Sequence, residues 1–398
     1  MPIRYISGCT AAAEAVRLAQ VEVIAAYPIT PQTHIVQSLS NDVFNGRLNA
    51  EFVAVEGEHS AMSATVGASM TGARAFTASS SQGLAYMHEV LHYAAGLRTP
   101  LVMAVANRSM ASPVSIFVDH QDSLPQRDTG FMQYYAENCQ DILDLILLSY
   151  KVAEDKRVLL PAMVCCDGFY LSHVSEPVDV PENDKAAEFL PRMPMQYPYL
   201  DVENPKLFNV MAFPEYFEEF SRDRFVSMED AQGVFDEYSA EFEKMFGRRH
   251  RRLEEYRMED AEYALVGLGS MMGTTRVVVD QLREEGVKAG MLSVKSYRPF
   301  PVKEVRKALM NCKAVGVLDR DVSFGTGGIL YQDISRCLVG KGACLKNFIV
   351  GLAGRDVTPA TIRKSFNIVM DENAQSENDV FWPDENTALW QAWRGGAQ

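Results

Sequence analysis

Four short stretches place polar and charged residues directly after apolar runs: Tyr27-Pro28-Ile29-Thr30, Val55-Glu56-Gly57-Glu58-His59, Ser79-Ser80-Ser81-Gln82-Gly83 and Ala106-Asn107-Arg108-Ser109. An arginine, a threonine hydroxyl and a glutamate converging from three of these loops, as Arg108, Thr30 and Glu58 would, can bind a small carboxylate and orient a polar ring. Taken singly, each has a plainer reading. Glu58 suits the first turn of a helix, where the dipole favours a carboxylate. Arg108 suits an ion pair at a strand end. Thr30 suits a helix cap ahead of Pro31 at the first helical position. Only the set as a whole points to chemistry.

The elements that must position this set alternate regularly. Apolar runs at Val21–Ala26, Phe52–Val55, Ala73–Ala78 and Leu101–Ala106 read as strands, separated by stretches of helical length, Gln32–Leu39, His59–Met70 and Leu84–Ala95. That order predicts βαβ units and a parallel sheet, with ligands bound beyond the carboxyl ends of the strands. The two prolines around Thr30 restrict its backbone, so its hydroxyl is held before a ligand arrives. Residues 1–255 form one expected domain, with an irregular, extended arm at about 180–250 rich in Pro, Tyr, Phe and acidic residues. A second, smaller α/β pattern begins near Glu262, and 256–398 is the second expected domain.

Composition narrows the function classes. The 398 residues are 47% hydrophobic and 23% charged with a formal charge of −14, which argues against nucleic acid or an anionic membrane surface as partner. No apolar run reaches membrane-spanning length and the start lacks a signal-peptide pattern, so a cytoplasmic location is expected. The basic run Arg248–Arg252, followed by acidic residues, reads as a solvated helix with local ion pairs. Seven scattered cysteines without a C-x-x-C pair disfavour a disulfide framework and a self-contained cluster or zinc site. Adjacent Cys165 and Cys166 read as core. Gly267-Leu-Gly-Ser-Met-Met-Gly273 departs from the dinucleotide fingerprint, leaving a tight strand-to-helix turn or an NAD site. Asp119-His-Gln-Asp122 has metal-compatible residues in a loop-like setting.

Several motifs in one order resemble a known family. YPITP, the E-x-x-A-x-x-x-x-x-G stretch from Glu58 to Gly67, SQG at Ser81–Gly83, and ANRS followed by SIFVDHQDSLPQRDTGF are similar to the α chain of pyruvate:ferredoxin oxidoreductase and related thiamine-diphosphate-dependent 2-oxoacid oxidoreductases. YRPFP at Tyr297–Pro301 and LDR at Leu318–Arg320 resemble that chain's second, transketolase C-terminal-like domain. The resemblance implies a parallel-sheet α/β domain binding the cofactor's pyrimidine, followed by that second α/β domain. It implies that Glu58 hydrogen-bonds N1' of the aminopyrimidine, that Thr30 and Arg108 hold the substrate carboxylate, and that Tyr27, Pro28, Ile29, Ser81 and Gln82 line the cofactor. No GDG motif occurs here, Cys166-Asp167-Gly168 being the nearest approach. The diphosphate and Mg²⁺ are therefore expected on a partner β subunit. Further partners, γ and ferredoxin-like subunits, are expected, with iron–sulfur clusters in partner subunits only; coenzyme A takes the acyl group, and ferredoxin or a flavin subunit linked to NAD takes the electrons. A pyruvate-type substrate fits one Thr and one Arg. An aryl 2-oxoacid such as phenylglyoxylate, with a pocket shaped by Ile116 and Phe117, is the alternative substrate. A non-catalytic scaffold subunit is the alternative role.

Overall fold

A computed structural model describes residues 3–192, 200–340 and 343–396. The chain divides into two compact units, Met1–Leu253 with Val294–Pro301, and Glu254–Ser293 with Val302–Gln398.

The first unit is built on a seven-stranded sheet in the order Ser296–Arg298, Met132–Tyr135, Ala162–Asp167, Val102–Asn107, Ala75–Ser79, Val23–Ala26, Glu51–Ala54. All neighbours are parallel except Ser296–Arg298, which runs antiparallel to Met132–Tyr135. The inner strands VMAVAN and AMVCCD are buried at every position, as parallel strands covered on both faces require. Helix Gly8–Leu18 packs on helix Cys139–Ala153. Each begins at a side-chain cap, Ser7 accepting from the Thr10 N–H and Asn138 from the Asp141 N–H.

From Val23–Ala26 the chain goes to one side, Glu51–Ala54, and then returns to pair Ala75–Ser79 on the other. This reversal is the switch point of a doubly wound sheet, where the loops leaving adjacent strands part and open a crevice. The loops that part there are the ones holding Thr30 and Ser81.

Three regions differ from their sequence reading. Within the stretch read as an irregular arm, Pro214–Phe246 is a 33-residue helix with Pro at its first turn and Gly247 at φ +73° closing it. Its Ala231, Val234, Phe235, Phe242 and Phe246 join the core of this unit. Part of the arm, 193–199, lies outside the described residues. The basic run is not a solvated helix: it follows that helix, and Arg248 pairs with Asp144 and Asp179, each at 2.8 Å, while buried His250 lies 2.9 Å from Asp144. The YRPFP segment lies in the first unit, where Tyr297 is fully buried and the preceding Lys295 reaches Asp141 at 2.8 Å.

The second unit has a six-stranded sheet ordered Val380–Phe381, Cys344–Ile349, Ala314–Asp319, Tyr263–Gly267, Ala289–Val294, Leu253–Tyr256. Gly267-Leu-Gly-Ser-Met-Met-Gly273 is the strand-to-helix turn into Met271–Glu284. Gly269 has φ +72°, and a side chain on Gly267 would meet Met272 Sδ at 2.6 Å. The strand Ala314–Asp319 runs into buried Asp319, Arg320 and Asp321. Asp319 accepts from the Leu330 and Tyr331 N–H groups at 2.7 and 3.1 Å, and so caps helix Ile329–Leu338.

Candidate active site

At the switch point, Gln32 ties the two parting loops together. Fully buried, its Nε2 donates to Ala78 O at 2.6 Å and to Tyr27 O at 3.2 Å, joining the end of one strand to the turn after the other. Thr30 is not a helix cap: helix Thr33–Phe44 starts later, behind Gln32, with no side-chain cap. Pro31 packs where a side chain on Gly168 would sit, 2.8 Å from its Cγ, and Asn107 O lies 2.3 Å from the same point. Gly168 of the Cys-Asp-Gly triplet is thus consumed by packing beneath the YPITP turn.

Arg108 is brought against that turn. Its Nη1 donates to Thr30 O at 3.0 Å and its Nε to Ser115 O at 2.9 Å. Both acceptors are neutral carbonyls. Among the described residues the Arg108 guanidinium has no carboxylate partner, so it is aimed but not neutralised.

Glu58 opens helix Glu58–Met70 behind an extended Gly57, a position that the helix dipole favours for a carboxylate. It is half-buried and, among the described residues, takes no hydrogen bond and no cation. Its carboxylate lies over Gly83: a Cβ there would be 2.5 Å from Glu58 Oε1 and 2.7 Å from Ser79 Oγ. The hydroxyls of Ser79 and Ser80 are buried without partners. A cradle that only glycine permits, lined by an uncompensated carboxylate and unsatisfied hydroxyls, fits a flat heterocycle with ring nitrogens and an amino group. The aminopyrimidine of thiamine diphosphate is such a group.

The turn carrying Ser81 and Gln82 is unusual: Ser81 has φ +51° and is buried. Its Oγ donates to Ser109 O and Gln82 Oε1, leaving Gln82 half-buried. Tyr27, Pro28, Ile29 and Thr30 are exposed or half-exposed along the neighbouring turn.

Sequence reasoning left the DHQD loop unassigned. Asp122 is buried and bonds main-chain and side-chain groups at 107–108, 81 and 123. Burial pushes its carboxyl upward, and the Ser81, Asn107 and Arg108 donors work in the opposite sense. His120, also buried, lies 2.8 Å from Asp167. Nearby, Phe117 packs on Phe169 with ring centroids 5.3 Å apart, and Phe169 on His173 at 4.7 Å. Cys165 and Cys166 are core, and burial pushes both thiols far above their ordinary value.

Comparison with known proteins places this geometry. Residues 14–240 match "Pyruvate flavodoxin/ferredoxin oxidoreductase, thiamine diP-bdg", and residues 261–362 match "Pyruvate:ferredoxin oxidoreductase core domain II". The chain is 48% identical to a pyruvate synthase subunit PorA of Pyrococcus horikoshii over 96% of its own length and 98% of the relative's. It is 47% identical to the PorA subunit of Methanothermobacter thermautotrophicus, over the same shares. A ketoisovalerate oxidoreductase subunit VorA of Pyrococcus abyssi is 45% identical over 90% of this chain and 91% of the relative. In fold, it resembles a 2-oxoglutarate:ferredoxin oxidoreductase from Magnetococcus marinus with TM-score 0.70 and 20% identity, over 90% of this chain and 64% of that longer one. A split-gene transketolase chain aligns with TM-score 0.51 and 13% identity, over 92% of this chain and all of that one. No described helix is long and apolar enough to cross a membrane. The chain therefore belongs to the pyruvate flavodoxin/ferredoxin oxidoreductase family, with that family's thiamine-diphosphate-binding segment followed by its core domain II.

Proposed function

We propose that this chain is the α subunit of a coenzyme-A-dependent oxidative decarboxylase of 2-oxoacids, acting on pyruvate and passing electrons to iron–sulfur partner subunits. One observation carries the reading: among the described residues, a single sheet edge holds the Glu58 carboxylate without a cation and the Arg108 guanidinium without an anion. Left open, they match a ligand pair of opposite demands, a ring nitrogen that donates a hydrogen bond and a substrate carboxylate that accepts them.

When bound, thiamine diphosphate supplies an electron sink for the carbon–carbon bond that breaks as carbon dioxide leaves. The protein's own part is positional and electrostatic. Glu58 accepts the hydrogen bond of a protonated N1', with Ser79, Ser80 and the space over Gly83 shaping the ring's seat. Tyr27, Pro28, Ile29, Ser81 and Gln82 border it. Arg108, steadied by Thr30 O and Ser115 O, takes the substrate carboxylate, and Thr30 offers its hydroxyl beside it. The stoichiometry is 2-oxoacid plus coenzyme A giving acyl-coenzyme A, carbon dioxide, a proton and two electrons. The electrons leave one at a time for a ferredoxin or a flavin/NAD-linked subunit.

The chain supplies half a site in this reading. A β subunit holds the diphosphate and Mg²⁺, and γ and ferredoxin-like subunits complete a cytoplasmic complex. Gly168 of the Cys-Asp-Gly triplet is occupied in packing, in keeping with a diphosphate site elsewhere. Residues 1–255, with 294–301 packed among them, serve as the pyrimidine-binding domain, and the rest of 256–398 as the transketolase C-terminal-like domain plus a C-terminal tail.

The test is anaerobic reduction of a low-potential viologen by the native complex with coenzyme A and pyruvate, 2-oxoisovalerate, 2-oxoglutarate, oxalate or phenylglyoxylate in turn. Pyruvate-dependent reduction supports the reading. Reduction by another member alone moves the substrate, and silence with every member in a complex retaining its cofactor and clusters rejects the activity.

A further inference from the structure

Among the described residues the DHQD loop forms no hydrogen bond to the Glu58 carboxylate or the Arg108 guanidinium, and it still reaches the residues beside them. Asp122 is 1% exposed. Its Oδ2 accepts the Ser81 N–H and the Arg108 N–H, both at 2.9 Å. Its Oδ1 accepts Asn107 Nδ2 at 2.8 Å and the Ser123 N–H at 2.7 Å. Four donors converge on one carboxylate, drawn from the ends of two adjacent strands and from the loop itself.

The ladder continues inward. Asn107 Nδ2 also donates to Ser123 Oγ at 2.6 Å, Ser123 Oγ pairs with Tyr135 OH at 2.8 Å, and Gln133 Nε2 holds Ser123 O at 2.8 Å. Asp122 is thereby anchored to the strand Met132–Tyr135 while its carboxylate reaches out to the two turns. One of those turns carries a serine at φ +51°, a conformation that a non-glycine residue keeps only where its surroundings impose it. The other fixes the backbone from which the Arg108 side chain extends. A neutral amide at 122 has one oxygen for four donors and would turn an NH₂ group against the rest.

We propose that Asp122 is a positioning residue: its buried carboxylate is the bracket that holds the Ser81–Gln82 turn and Arg108 in working register. This rests on the reading of the site given above. Acting through Arg108, Asp122 governs the grip on the oxoacid carboxylate; acting through Ser81, it governs where Gln82 stands.

The test is Asp122→Ala, which removes both acceptor oxygens, read in two independent ways. In the full-length chain, amide hydrogen exchange should speed by about 10-fold or more at Ser81 and Arg108, each losing a hydrogen bond, while the strands Val23–Ala26 and Ala162–Asp167 keep their protection. In the assembled complex, the Michaelis constant for the oxoacid should rise about 10-fold with a smaller fall in kcat. Unchanged exchange at 81 and 108 overturns the bracket. Exchange raised throughout the unit makes Asp122 a residue of the fold and overturns it too. Local loosening with an unchanged Michaelis constant overturns the role in substrate binding. Should Asp122→Ala not assemble, Asn107→Ala removes one donor and should shift the same constant in the same direction by a smaller factor; no shift contradicts the proposal. A wild-type complex that turns over no oxoacid sinks the assigned reaction, and the exchange measurement still decides the bracket.

Discussion

Both units end a parallel sheet in a cluster of charged residues, and they treat those charges in opposite ways. In the second unit the carboxylate at a strand end, Asp319, is fully occupied: it caps helix Ile329–Leu338 through two N–H groups, and Gly328 packs so closely that a Cβ would lie 2.0 Å from Asp319 Oδ2. Arg320 beside it donates to Gly351 O at 3.3 Å. In the first unit Glu58 also starts a helix, and its carboxylate packs where a side chain on Gly83 would sit, but among the described residues no protein donor bonds it. Two acids at comparable places in comparable sheets therefore do different work. One stabilises a helix end; the other waits for a ligand. Glycine beside a carboxylate is shared by both, and what separates them is whether the protein satisfies the oxygens.

The comparison breaks most visibly at Glu58. Glu58→Ala should lower turnover of the complex by at least about 10²-fold, the size of a general acid–base contribution. Stability should change by no more than about 1 kcal/mol, since only a dipole interaction is lost. Activity above a tenth of wild type would contradict the assigned role. Next in size, Gly83→Ala should push the Glu58 carboxylate aside and cost about 10²-fold, the usual scale for a misplaced group. In a Glu58→Ala background the same change should add little, and additive losses would mean that Gly83 acts elsewhere.

In the second unit the matching glycine should register as stability. Gly328→Ala should destabilise the chain by about 1–3 kcal/mol through overpacking against Asp319, with the oxoacid Michaelis constant unmoved. A further effect in the second unit is one of pH. Burial pushes the Asp319 carboxyl from 3.8 up to about 6, with Asp321 and the helix N–H groups acting in the other direction. The folded chain then binds this proton more tightly than the unfolded one, so stability falls as pH rises from about 4 to about 6 and is level on this account above that window. Urea midpoints of wild type and Asp319→Asn across that range should differ in slope; equal slopes would mean that Asp319 titrates normally.

Much of the site was legible because its residues sit where strand patterns end. Thr30, Glu58, Ser81 and Arg108 each follow an apolar run, and the doubly wound rule brings such ends to one edge. The structure adds that Arg108 meets Thr30 through the main-chain carbonyl. Gln32 and Asp122 escaped because their work is to bond groups distant in sequence, 46 residues for Gln32 to Ala78 and 41 for Asp122 to Ser81, and nothing local marks such partners. Helix Pro214–Phe246 did leave a signal, Pro at one end, Gly247 at the other, and Ala231, Val234, Phe235, Phe242 and Phe246 along one stripe. Reading the whole span from 182 as one segment diluted that stripe with the irregular residues before it. The segment 294–301 could not be assigned from pattern, since its place beside Met132–Tyr135 depends on an antiparallel pairing made across more than 150 residues.

The central claim is that the unpaired charges at the first sheet edge are kept for ligands. Its most direct test is the Michaelis constant for pyruvate in complexes carrying Arg108→Ala, measured by anaerobic viologen reduction. Loss of a charge-assisted contact worth about 1.5–3 kcal/mol predicts a rise of about 10- to 100-fold with cofactor retention unchanged. An unchanged constant would mean that Arg108, for all its openness, does not hold the substrate.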